Sequence, residues 1–320
     1  MAGLRITLLI PNSMPLTEQD RLTMLNPPSG KLRMVLDTDT YNEIDDQFAL
    51  VQALLSPERL QVEAVYAAPF FNDRSTSPEN GMENSYDEIL RLLELLKVSP
   101  EGYAFRGSKG YMTAAHQPVE SPAARDLVAK ALSSNEILYV ASIGAPTNVA
   151  SAILMEPKIM EKIVVVWLGG MAPYWHSASE FNLKQDLHAA RVLFDSGVPL
   201  VHVPCLPVTS HLITSLPEIE RYVEGKGKLG DFLAQTYREC MEDHFGRSRV
   251  IWDIAVIAWL LNPAWIPTRL THSPVLTDQV TYSLDTSRHF VRTAIEVSRD
   301  EIFGDLFGKI ARFAEADRAN

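Results

Sequence analysis

Short apolar runs alternate with amphipathic stretches along the first two thirds of this chain, and that rhythm sets the fold expectation. Runs at 32–37, 60–67, 136–141, 162–168 and 199–203 are apolar enough to be strands buried on both faces. Between them, apolar residues recur at helical spacing near 44–55, 81–97, 121–132, 146–155 and 186–195; in the first of these the repeat is carried by Ile44, Phe48, Ala49, Val51, Gln52 and Leu55. Strand-helix alternation without an internal repeat predicts an α/β protein with a mainly parallel central sheet and crossover helices, a Rossmann-like open sheet. Beyond residue 205 the pattern changes to helices near 216–223, 229–245 and 253–262. Strand-like runs follow at Val275 to Ser283 and His289 to Val297, with a last helix near 301–316. No long linker separates this tail, so it is expected to close over the sheet within one domain spanning 31–320. Residues 1–30, with Pro11, Pro15, Pro27, Pro28 and Gly30, read as an N-terminal arm.

A chain of 320 residues with 46% hydrophobic and 22% charged residues has ample material for a core. Its balance of 29 basic against 40 acidic residues, −11 overall, argues against nucleic acid or an anionic membrane as the main partner. Leu4 to Ile10 is apolar but too short to span a bilayer, and no secretory signal is recognised. Cys205 and Cys240 form neither a disulfide framework nor a metal spacing, which fits a reducing, cytoplasmic setting.

The densest chemistry lies between the first strand and the first long helix. Val35-Leu36-Asp37-Thr38-Asp39-Thr40-Tyr41-Asn42-Glu43-Ile44-Asp45-Asp46 sets four aspartates in a short loop. Like charges at this density raise one another's pKa unless a cation sits among them, and carboxylates without Cys or His neighbours favour a hard ion, Ca²⁺ or Mg²⁺. A helix cap needs only one Asp, so capping alone does not account for the cluster. Elsewhere, Ala141 to Asn148 follows the strand 136–141 and opens a helix, with small residues that let the backbone approach a ligand. Val164 to Trp167 is a buried strand ending in the permissive Gly169-Gly170 loop, and Glu180-Phe181-Asn182 lies in a polar loop before a helix. Trp252-Asp253 opens an apolar helix, where the Asp suits either a cap or a cation. The eight histidines show no metal spacing, and no G-x-S-x-G, Walker loop or G-x-G-x-x-G occurs in a fitting context.

Taken in order, these motifs resemble the nucleoside hydrolases, the calcium-dependent N-ribohydrolases of the inosine-uridine-preferring superfamily, over about residues 32 to 316. Asp37-Thr38-Asp39 with Asp45-Asp46 stands for the family's DxDxxxDD, with two extra residues between the pairs. Asn72 falls where the family has an active-site asparagine, and Ile143 to Asn148 stands for its T-G-x-x-T-N turn. Leu168-Gly169-Gly170 matches M-G-G, Glu180-Phe181-Asn182 with Asp186 matches E-F-N and its downstream Asp, and Asp253 matches the C-terminal calcium aspartate.

The resemblance implies a homo-oligomeric (dimeric or tetrameric) nucleosidase of nucleoside salvage, which breaks the N-glycosidic bond through an oxocarbenium-like transition state to give ribose and free base. It implies Ca²⁺ held by Asp39, Asp46, Asp253 and the Ile143 carbonyl, with Asp39 as general base toward water. Asp45, Asn72, Glu180 and Asn182 would hold the ribose hydroxyls, and Asp37 would support the ligands from behind. Many members carry a histidine before the last aspartate; Trp252 stands there, as in the purine-preferring branch, and implies stacking on a purine or modified purine. Phe70, Phe71, Tyr86 and Trp175 are candidates for a second ring. Tyr174 replaces an asparagine that contacts the 5′-hydroxyl, and the loop from Tyr103 to Ser121 lacks the family's histidine-containing lid.

Three other readings use the same residues. A phosphotransferase of the haloacid-dehalogenase type also opens with D-x-D, but it leaves Asp45-Asp46, Glu180-Phe181-Asn182 and Trp252-Asp253 unexplained and has Thr or Val where this chain has Tyr41. A non-catalytic nucleoside- or sugar-binding protein on the same fold would not need the base Asp39. A hydrolase of a non-nucleoside riboside would.

Overall fold

The computed structural model describes residues 16–319. Leu4 to Ile10 and the remainder of residues 1–15 lie outside the described residues. The strands are β1 (Leu32–Thr38), β2 (Leu60–Ala67), β3 (Ala104–Arg106), β4 (Leu138–Ser142), β5 (Ile163–Leu168), β6 (Leu200–Val203), β7 (Ile213–Ser215), β8 (Ser248–Val250), β9 (Thr268–His272), β10 (Val275–Leu276), β11 (Tyr282–Ser283) and β12 (Phe290–Ala294). The α-helices are α1 (Glu18–Met24), α2 (Asp45–Leu54), α3 (Pro78–Leu95), α4 (Pro122–Leu132), α5 (Thr147–Met155), α6 (Phe181–Gln185), α7 (Leu187–Asp195), α8 (Leu216–Tyr222), α9 (Gly227–Glu239), α10 (Ile254–Leu261) and α11 (Arg299–Ala319).

The main sheet has the order β3-β2-β1-β4-β5-β6-β12-β9. Its neighbours pair in parallel except β9, which runs antiparallel to β12. Strands β4 and β5 are buried at every position, as parallel strands covered on both faces must be. Alternation along β1 sends Met34 and Leu36 into one core with Phe48, Val166 and Trp259, and Val35 into the other with Tyr66, Val140 and Trp167. The crossover helices start where the chain offers a cap. Ser77 and Ser121 accept from the backbone N–H of Asn80 and Ala124, and Pro78 and Pro122 follow at the first helical position.

Strand order reverses at β1, which has β2 on one side and β4 on the other. The crevice beyond the carboxyl ends of β1 and β4 is the position an open α/β sheet offers to a ligand. Two helices start there. Helix α2 follows β1, and the wholly apolar α10 packs beside α2 and brings Asp253 to the start of that helix pair.

The structure corrects several boundaries. The helix expected over 229–245 ends at Glu239; His244 folds back, its ring Nε2 2.9 Å from the Arg238 carbonyl. The run 275–283 is not one strand but β10 and β11, paired antiparallel about a turn at Val280, which has a φ of 56°. Strands β3, β7, β8 and β9 were not expected at all. Within the expected arm, α1 touches β12, and the buried Arg21 donates from Nε to the Gly197 carbonyl at 2.7 Å. Among the described residues no helix is long and apolar enough to cross a membrane, and both cysteines are free.

Candidate active site

Asp45 and Asp46 occupy the first turn of α2, and Asp253 occupies the cap position of α10 without making a side-chain capping bond. Its carboxylate is therefore left to the cluster. Asp45, Asp46 and Asp253 can each offer an oxygen within 4.8 Å of the others. Asp39 lies at the end of β1, 1% exposed, and both of its carboxylate oxygens are buried without a hydrogen-bond partner. An ionised carboxylate in that state is strongly disfavoured unless a positive charge joins it.

The electrostatics follow. Burial, then the charges of Asp46, Asp45 and Glu43, hold the Asp39 pKa well above the carboxylate range. Burial raises Asp45 likewise, aided by Glu43 and Asp46, and raises Asp253, aided by Asp45, Asp46 and Asp39. Asp46 is pushed up to about 7 by burial, against a hydrogen bond of 2.5 Å from Thr38 Oγ1. The N-termini of α2 and α10 supply only partial positive charge. An all-oxygen donor set with unpartnered, buried acceptors fits a hard divalent cation, and Asp39, Asp45, Asp46 and Asp253 are the side chains that could hold it.

These carboxylates line a cavity of about 280 Å³. Ile143, Glu180, Asn182, Asn42 and Glu43 share its lining, as do the apolar Leu168, Met171, Phe181, Leu206 and Trp252. Asn182 donates from Nδ2 to the carbonyls of Ile143 and Leu168, both at 3.1 Å, which stitches the ends of β4 and β5 together. Each of those carbonyls keeps a second lone pair. Glu180 caps α6: its carboxylate accepts from the N–H groups of Gly170 (2.7 Å), Asn182 (2.9 Å) and Leu183 (3.1 Å). Trp252 is half-buried and donates its backbone N–H to Asp45 Oδ2 at 3.2 Å.

The remaining residues singled out from the sequence lie elsewhere. Asp37 is buried behind the cavity and accepts from Asn148 Nδ2 (2.8 Å) and Ser142 Oγ (3.2 Å); burial pushes its pKa up to about 7. Asn72 lines a neighbouring cavity of about 820 Å³ and donates to Asn42 Oδ1 at 2.6 Å. Tyr174 is 60% exposed. Phe70 is fully buried, and Phe71 is half exposed. Tyr86 lies under the Arg106 guanidinium, and Trp175 lies against His176. None of these four rings lines the carboxylate cavity; Phe181 does.

Sequence reasoning missed Phe181 although it sits inside the E-F-N motif. It also missed Asp186 as an anchor: one carboxylate accepts from Met112 N (2.9 Å), Thr147 Oγ1 (2.8 Å) and Ala189 N (2.9 Å), tying the loop after β3 to α5 and α7.

An open, mainly parallel sheet with buried carboxylates lining a cavity at its strand-order reversal is an α/β arrangement with a ligand-sized crevice at its switch point. Comparison with known proteins narrows this. The model of the family described as inosine-uridine preferring nucleoside hydrolase matches residues 34–304, and the chain belongs to that family; it is an N-glycosyl hydrolase of the ribonucleoside-cleaving kind. A pyrimidine-specific ribonucleoside hydrolase RihA of Salmonella typhimurium is 31% identical over 261 residues, covering 72% of this chain and 80% of that protein. The RihA of Salmonella agona is 30% identical over the same length. Among solved structures, the plant nucleoside hydrolase PpNRh1 superposes with a TM-score of 0.71 at 18% identity, over 89% of this chain and 99% of that one. A purine-preferring ribonucleoside hydrolase from Gardnerella vaginalis gives 0.70 at 20% identity, with the same coverage. At such identities the structural likeness is one of fold.

Proposed function

We propose that the protein hydrolyses the N-glycosidic bond of purine or modified-purine ribonucleosides with Ca²⁺ held by Asp39, Asp46, Asp253 and the Ile143 carbonyl, and with Asp45 close enough to join the set. The observation that carries this reading is Asp39, buried with both oxygens unpartnered in the cavity that Asp45, Asp46 and Asp253 also line. Bound there, the ion supplies Lewis acidity, making a nearby water easier to deprotonate and steadying the ribose diol. Asp39 takes the proton from the attacking water at an oxygen that no protein group occupies. Asp45, Asn182 and Glu180 face the ribose, and Asn72 reaches it through Asn42. The carboxylates oppose the positive charge that develops on the sugar as the base departs. Trp252 and Phe181 offer ring faces to that base within the same cavity. The same reading makes it a cytoplasmic homodimer or homotetramer of nucleoside salvage, and the two free cysteines support a reducing compartment.

A pyrimidine substrate is the second reading, favoured by the relatives named pyrimidine-specific. Purified protein with added calcium, incubated with purine, pyrimidine and 7-deazapurine nucleosides and assayed for ribose and free base, separates the two. Release from purines alone supports Trp252 as the stacking group. Release from pyrimidines alone ends the purine assignment and keeps the hydrolase.

A further inference from the structure

We infer that Glu43, braced by Arg249, reads the edge of the leaving base and selects bases that present an amino group over those that present a carbonyl. This rests on the reading that the carboxylate cavity takes a nucleoside.

Glu43 lies in the loop that joins β1 to α2, just before the carboxylates that open α2. That loop faces the carboxylate cavity. Asn42 and Glu43 line the cavity of about 280 Å³ and also the adjoining one of about 820 Å³. A ligand whose sugar lies among Asp45, Asp46 and Asp253 and whose other end points toward the larger cavity therefore passes Glu43. Trp252 lines the inner cavity with it, so a base resting on that ring presents its edge in the same space.

The carboxylate is held at one end only. Glu43 Oε2 accepts from Arg249 Nη2 at 2.5 Å, while Oε1 accepts no hydrogen bond from the described residues. Arg249 sits on β8, its backbone N–H donating to Tyr237 Oη at 3.2 Å, and Tyr237 in turn donates to the Thr214 carbonyl at 2.7 Å. The Glu43 side chain is 40% exposed, so the open oxygen can be reached. Carboxylate oxygens accept hydrogen bonds, and the Arg249 guanidinium occupies one of the two and leaves the other open. The open oxygen rewards an exocyclic amino group and repels a keto oxygen. A mere surface ion pair fastening the loop to β8 would affect every substrate alike.

The test is kcat/KM for adenosine against inosine and for cytidine against uridine, with calcium present, on wild type, Glu43→Gln and Glu43→Asp. Wild type should favour the amino member of a hydrolysed pair by about tenfold, the worth of one hydrogen bond to a charged group. Glu43→Gln should bring the ratio close to one, because a rotated amide can donate to a keto oxygen. Glu43→Asp keeps the charge but shortens the reach, and should lower the preference with less effect on folding. A ratio that survives both substitutions, whatever happens to the overall rate, overturns the inference. Should wild type hydrolyse none of the four, calorimetric titration of the same nucleosides into all three proteins reads the ratio as Kd. An amino preference lost in Glu43→Gln ends these bases as substrates but keeps Glu43 as selector, and no preference, or one that survives, ends the inference too.

Discussion

Removing the cation should destabilise the fold in a pH-dependent way. Asp39, Asp45, Asp46 and Asp253 are buried together, and each has its pKa raised. For a carboxylate with a raised folded pKa, the folded state is at no disadvantage below the unfolded value. Stability is lost as pH climbs through the folded value, where the buried group must ionise. Asp46, held at about 7, shows the size of the effect. At about pH 5 it lies roughly two pH units below its folded pKa, so expelling its proton to admit the ion costs about 3 kcal/mol that is not required at about pH 8. The other carboxylates act in the same direction. Buried histidines work oppositely: His202 and His289 are lowered by burial to about 4 and about 3, so they favour the folded state as pH rises through the ordinary histidine range. Their effect cancels if the melting temperature is measured at each pH with calcium and with chelator and the two are subtracted. The calcium-induced gain should be larger at about pH 8 than at about pH 5 by about 5 °C, taking ~2 °C per kcal/mol for a chain of this size. A gain that is flat with pH, or that shrinks as pH rises, would refute the reasoning that these groups are buried acids neutralised by an ion.

Asp39→Asn should lower kcat by about 10²-fold or more, the usual contribution of a positioned base, while raising the melting temperature in chelator by removing one buried charge; stopped ribose release and calorimetry check the two effects. Asn182→Ala leaves the Ile143 and Leu168 carbonyls without their shared donor and should cost about 1–3 kcal/mol in urea unfolding, with a raised KM for calcium activation. Asp186→Ala removes the acceptor for Met112, Thr147 and Ala189, so limited proteolysis should cut earlier within residues 107–119. Trp252→Ala should raise KM for the preferred nucleoside about tenfold, with a smaller change in kcat; an unchanged KM would remove the ring from the substrate's path.

The parts of the fold that the sequence made legible are those whose residues answer to burial alone. Strands β1, β2, β4, β5 and β6 sit inside the sheet, and their largely apolar runs, buried at every position in β4 and β5, follow from being covered on both faces. Edge strand β9, Thr-Arg-Leu-Thr-His, is half exposed and carries no such run; its strand character comes from pairing with β12. Strand β3 is only three residues long and depends in the same way on β2. Helix α9 reads too long because amphipathic spacing continues through Met241, whereas the chain turns where His244 meets the Arg238 carbonyl.

The site divides along the same line. The aspartates between β1 and α2 were visible because local charge density needs explaining. Asp253 stayed ambiguous between cap and ligand because only the packing of α10 against α2, a contact distant in sequence, brings it to Asp45 and Asp46. Asn72 and the candidate rings Phe71, Tyr86 and Trp175 lie in loops or on faces whose paths no local rule fixes. Phe181 carries no local mark of a site, since one aromatic residue at the start of a short helix reads equally as core, and only the fold places it in the cavity lining.

The most direct measurement is ribose release from a ribonucleoside panel by wild type and Asp39→Asn, each assayed with added calcium and again with chelator. The account predicts release by calcium-supplied wild type, loss of nearly all of it in chelator, and about a hundredth of it or less from Asp39→Asn. Equal release by the two proteins, or release indifferent to chelation, would contradict the claim that a cation-filled carboxylate cavity with Asp39 as its base performs the hydrolysis.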